Sequence, residues 1–143
     1  MIYTCKRNLV FVLLFGAIAC NNKCEVAGME VSELLSTAAK EKSIDYCSLL
    51  GSAAKGDSTA IKRISLLYFG NAAGYDQGAV LVDLILRVGE DKYIQSISTI
   101  NKDEKMIIES YLNVGLEYGA NPKIKDITLK NIFPKIYTFL KSR

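Results

Sequence analysis

Apolar residues recur at helical spacing along most of this chain, and the segments that carry the pattern are separated by residues that start or stop helices. Val31, Leu34, Leu35 and Ala38 follow i, i+3, i+4, i+7 spacing, the mark of one buried helix face. Ser43 precedes a second set, Ile44, Cys47, Leu50 and Ala54, stopped by Gly56. Asp57 precedes a third, Ile61, Ile64, Leu67 and Tyr68, with Gly70 just beyond. Residues 71–78 read as a turn by composition. Gly78 to Val88 is the most hydrophobic stretch and the natural central helix; Gly89 ends it, and Asp83 and Arg87 stand four apart on one face, acid before base. A short helix over Asp91 to Ile100 follows.

Asn101-Lys102-Asp103-Glu104 has the spacing of a capping box. It opens a helix reaching Tyr118, with Ile107, Ile108, Tyr111, Leu112, Val114 and Tyr118 as its buried side. Ile132, Phe133, Ile136, Tyr137 and Leu140 form a last amphipathic segment with Pro134 in its first turn. The chain has 143 residues, half of them hydrophobic and 23% charged, which suits one globular domain. The expectation is an all-α fold: a single compact domain of six or seven short helices, a helical-hairpin or orthogonal bundle. Leu67-Tyr-Phe-Gly70, Leu86-Arg-Val-Gly89, Leu112-Asn-Val-Gly115 and Leu116-Glu-Tyr-Gly119 hint at a repeat, but the glycines keep no fixed period. Glycine ending a helix explains them as well.

The N-terminus has another organisation. Lys6 and Arg7 precede an apolar run from Leu9 to Phe15 and then small residues, the three parts of an export signal. The run is shorter than the ~20 residues a membrane-spanning helix needs. Ala17-Ile18-Ala19-Cys20 resembles the lipobox of bacterial lipoprotein precursors, with Ala17 at a position often held by Leu. That resemblance implies cleavage before Cys20 and acylation of its sulfur, hence membrane attachment. It covers only the first 20 or so residues. The domain plan is therefore a signal peptide over 1–19, a lipid-anchored tether over 20–29 and a helical domain over 30–143.

Cysteine parity bears on the same point. Cys5 leaves with the signal, so an ordinary Cys20 would give a mature chain with three thiols: Cys20, Cys24 and Cys47. Exported chains tend to pair their thiols. A lipid on Cys20 leaves Cys24 and Cys47 to form a disulfide, closing a loop worth roughly 3 kcal/mol in chain entropy. The competing reading keeps Cys47 as a buried free thiol.

Of the 18 Lys and Arg residues, Lys6 and Arg7 belong to the signal, and the remaining 16 nearly balance 15 acids. The charge is uneven: Cys20 to Gly119 is net acidic, whereas the segment beyond carries six basic residues against Asp126 alone. An acidic body argues against nucleic acid as a partner. The absence of histidine removes the commonest general base and metal ligand. No nucleotide fingerprint or metal-ligand spacing is present, so no cofactor and no metal are expected. Glu90-Asp91 and Asp103-Glu104 are paired acids, but they occupy first turns of helices, where the macrodipole favours them. Asp83 falls on a polar stripe with Asp76, Arg87 and Glu90.

The best recognition candidate is Tyr75-Asp76-Gln77, expected at a loop tip between two hydrophobic helices, with N-capping by Asp76 and core packing of Tyr75 as the plainer alternative. The basic C-terminal helix suits either an anionic membrane surface or packing on its own domain. These features lead to the expectation of a small exported, lipid-anchored, non-enzymatic protein that binds an envelope or secreted protein, as inhibitor, immunity-type factor or adaptor. The alternatives are a carboxylate-dependent hydrolase of cell-wall polymer and a structural component of an envelope assembly.

Overall fold

The computed structural model describes residues 24–119, 124 and 127–142; the signal segment and Cys20 lie outside them. Where the sequence predicts a tether over 20–29, the described chain opens with a hairpin. Strand β1 (Cys24–Val26) pairs antiparallel with β2 (Met29–Val31), Cys24 opposite Val31 and Val26 opposite Met29. Ala27 and Gly28 make the turn with φ of 53° and 82°, the left-handed geometry that a two-residue hairpin needs to match strand twist. Alternation then buries Cys24, Met29 and Val31 and leaves Glu25 and Glu30 outside.

Ser32 caps α1 (Glu33–Glu41), its hydroxyl accepting from Leu35 N at 3.0 Å. Val31 thus belongs to a strand, Leu34 is half exposed, and Leu35 and Ala39 carry the buried face. The expected N-cap at Ser43 is also displaced. Ser43 adopts φ of 58° in the turn leaving α1, and Asp45 caps α2 (Tyr46–Ala54), accepting from Ser48 N. Gly56, at φ of 87°, ends that helix, and Asp57 caps α3 (Ser58–Ser65) as expected. Ile61 and Ile64 are buried, whereas Tyr68, placed on the same face by spacing, is exposed.

The largest correction concerns residues 71–78. They are not a turn but the first two turns of α4 (Asn71–Val88), the central helix. Its glycines allow close approach rather than chain reversal. A Cβ on Gly78 would lie 2.3 Å from Tyr111 O, and one on Gly115 would lie 2.2 Å from Gly78 O, so α4 packs backbone to backbone against α6 (Lys102–Tyr118). Gly115 accordingly lies inside α6 rather than ending a helix. Gly70 and Gly89 do flank α4, and Gly119 does close α6.

Helix α5 (Glu90–Ile97) leads to the capping box, where Glu104 N donates to Asn101 Oδ1 and Asn101 N to Glu104 Oε2. The final segment is two helices, α7 (Leu129–Ile132) and α8 (Pro134–Lys141), with Pro134 at the first position of α8. Glu90 accepts from Ile136 N at 2.9 Å and Asp91 pairs with Lys135 at 2.7 Å, so the acids that open α5 receive the start of α8. Phe133, Ile136 and Leu140 are buried, and the basic C-terminal helix packs its apolar face on its own domain. The described residues thus form one helical domain of eight helices and a two-stranded hairpin, with its core around Leu81, Leu84, Ile85, Ile108 and Leu112. Among them, no helix is long and apolar enough to cross a membrane.

Candidate functional site

Helical geometry turns successive side chains by about 100°, so placing Tyr75, Asp76 and Gln77 on α4 sends them in three directions. Gln77 points inward and is fully buried. Its Nε2 donates to Ile64 O at 2.7 Å and its Oε1 accepts from Tyr46 OH, joining α4 to α3 and α2. Asp76 faces α1 and accepts from Ser32 Oγ, so one serine caps α1 and binds α4. Tyr75 points outward. The triplet is therefore not a loop tip, and only its tyrosine is exposed.

Tyr75 stacks on Tyr118 of α6, ring centroids 5.3 Å apart and planes 16° from parallel. The two rings are 52% and 62% exposed, and nearby Tyr68 is 69% exposed. Between the α3–α4 connection and α6 runs an open cleft of about 260 Å³, lined by Tyr68, Gly74, Tyr75, Ile107, Tyr111 and Val114 among others. Tyr111 is its fixed floor: its hydroxyl accepts from Phe69 N at 3.0 Å and donates to Phe69 O at 3.2 Å. Burial raises the Tyr111 pKa, and a hydrogen bond with Glu117, reinforced by that carboxylate's charge, raises that of Tyr118. Both rings stay neutral phenols at physiological pH. Exposed aromatic rings on a rigid floor are what a protein-recognition surface uses, because a ring gives large contact area with little side-chain entropy to lose.

Spacing assigned Ile107 and Tyr118 to the buried side of α6, but that side is wider than the core it meets. Ile108 and Leu112 reach the core while Ile107, 38% exposed, lines the cleft and Tyr118 lies exposed against Tyr75. Tyr68 was hidden by the same reasoning. The available signal was an excess: α6 carries more apolar residues than one packed face needs.

Acids are arranged structurally. Asp45 and Asp57 line one open cleft between α2 and α3, each with an oxygen accepting from a helix N-terminus. Among the described residues no cluster of ligating side chains could hold a metal, and every buried side-chain polar atom has a partner. Cys24 and Cys47 stand at disulfide distance with Cα atoms 6.0 Å apart, which joins β1 to the first turn of α2. Cys20 lies outside the described residues. No protein family, no curated protein and no solved structure matches the chain.

Proposed function

We propose that this chain is a small exported, lipid-anchored, non-enzymatic protein of the bacterial cell envelope that binds another protein through the face bearing Tyr68, Tyr75 and Tyr118. The observation that carries the reading is the stacked, exposed Tyr75–Tyr118 pair beside a cleft whose floor is fixed by the Tyr111–Phe69 hydrogen bonds. The lipid anchor rests on the lipobox-like Ala17-Ile18-Ala19-Cys20, and the compartment on the signal-like segment before it and the Cys24–Cys47 pair after it.

A photoreactive phenylalanine analogue at position 75, irradiated in the producing cells, tests the binding face. One discrete adduct that disappears on Tyr118→Ser supports it; no adduct, or one indifferent to Tyr118→Ser, overturns it. The mass of the mature N-terminus tests the anchor separately, and an unmodified Cys20 removes it. A second reading, a hydrolase of cell-wall polymer, has one observation in its favour: Asp45 and Asp57 share a cleft. Its test is turnover of purified cell wall by the wild type and by Asp45→Asn and Asp57→Asn. Activity lost in both variants would replace the binding reading.

A further inference from the structure

A second cleft adjoins the tyrosine face and differs from it in charge. It measures about 560 Å³ and is lined by Lys62, Arg63, Ser58, Thr59, Leu66 and Leu67 among others, with no carboxylate in its own wall, while Arg63 and Thr59 also line the neighbouring cleft that holds Asp45 and Asp57. Lys62 Nζ crosses to Thr99 Oγ1 at 2.8 Å, and Lys92 Nζ crosses the other way to Ser58 Oγ at 2.9 Å. Hydroxyls therefore hold two ammonium groups along the α3–α5 seam, and each ammonium keeps further donors for another acceptor. The acids next in sequence are engaged elsewhere. Asp57 caps α3, Glu90 receives Ile136 N, and Asp91 pairs with Lys135.

This cleft interrupts a net-acidic body, since Cys20 to Gly119 holds more acids than bases. A partner segment bearing carboxylates is attracted here, as it is by the basic C-terminal segment, and repelled by the acids that outnumber bases over the rest of residues 20–119. The wall also changes character along the chain. Leu66 and Leu67 line the cationic cleft and the next residue, Tyr68, lines the aromatic one, so one short chain segment borders both clefts.

We propose that the bound element is an acidic-hydrophobic peptide segment of the partner protein, its carboxylates over Lys62 and Arg63 and its adjoining aliphatic or aromatic side chains in the Tyr68–Tyr75 cleft. This rests on the binding reading above and names the chemistry of the partner. The experiment selects a random-peptide display library on the oxidised, processed protein, then measures the affinity of synthetic enriched peptides by fluorescence anisotropy. Enriched sequences should place Asp or Glu beside apolar residues. Their affinity should fall about tenfold between about 50 and about 300 mM salt, and about tenfold or more in Lys62→Glu/Arg63→Glu. Lys62→Gln/Arg63→Gln should lose less, and all variants should keep the wild-type circular dichroism spectrum. Peptides without acid enrichment, peptides unaffected by charge reversal, or binding only to phosphatidylglycerol vesicles would overturn the proposal. Peptides that lose affinity in Tyr75→Ser/Tyr118→Ser yet ignore charge reversal would sink it alone and leave the binding face standing. No enrichment at all would count against both.

Discussion

Gln77 shows at the scale of one residue how a polar side chain fixes a core. Both ends of its amide are used, toward Ile64 O and Tyr46 OH, and all three groups are away from water. Gln77→Leu keeps much of the volume but leaves the Tyr46 phenol unpaired and takes one donor from Ile64 O, which keeps its backbone bond from Leu67 N, so unfolding in urea should show a loss of about 1 to 3 kcal/mol. A midpoint equal to wild type would mean the network contributes nothing. Gly78 makes the opposite case, where the absence of a side chain is the requirement. Gly78→Ala puts a methyl group against Tyr111 O and Gly115 N, both backbone atoms, and should cost about 3 kcal/mol or more because α4 must back away from α6. Gly70→Ala, with nothing within 4 Å of its Cβ position, should stay within about 0.5 kcal/mol of wild type. If the two alanines behave alike in the same melts, the close crossing is not what holds α4 on α6.

At the scale of elements, the hairpin owes its place to attachment at both ends. Two strands of three residues do not persist alone, but β1 stands at disulfide distance from α2 and β2 runs directly into Ser32, which binds Asp76. Reduction of the Cys24–Cys47 bond should lower stability by about 3 kcal/mol, measured as the shift in urea midpoint with and without a thiol reductant. No shift would mean the thiols are unpaired in the folded protein. The hairpin was not legible in the sequence because its strands are too short for alternation to stand out, and because Ala27, at φ of 53°, is not an expected turn residue. Caps were far more legible. Asp57 and the Asn101–Glu104 box act where the spacing put them, since a cap is a local arrangement of three or four residues. The start of α4 was not legible, because Gly74 and Gly78 look like turn residues until the partner backbone of α6 is known. The tyrosine cleft shared that difficulty: Tyr75 stood out in sequence, but Tyr118, more than 40 residues away, had no local reason to be its partner.

Across the whole molecule, the buried tyrosines set an upper limit to the pH range of the fold. Tyr46 and Tyr93 are almost completely enclosed. Burial pushes both phenols well above their ordinary value; the charge of Tyr111 adds to the rise at Tyr46, and the Ser65 hydrogen bond opposes it at Tyr93. Below the unfolded value of about 10, both states hold the phenolic proton and these groups give no pH dependence. Above it the unfolded chain releases protons that the folded chain keeps, so stability should fall by about 1.4 kcal/mol per pH unit for each tyrosine until the folded value is reached. Urea midpoints should therefore be steady as far as these groups are concerned from neutral pH to about pH 10 and decline steeply above it. Tyr93→Phe separates this effect from general alkaline damage. It removes one of the enclosed phenols while Ser65 Oγ keeps its bond to Ile61 O, so the variant should lose some stability at neutral pH yet decline with a shallower slope above pH 10. An unchanged slope in Tyr93→Phe would show that the alkaline limit is set by groups other than the buried phenols.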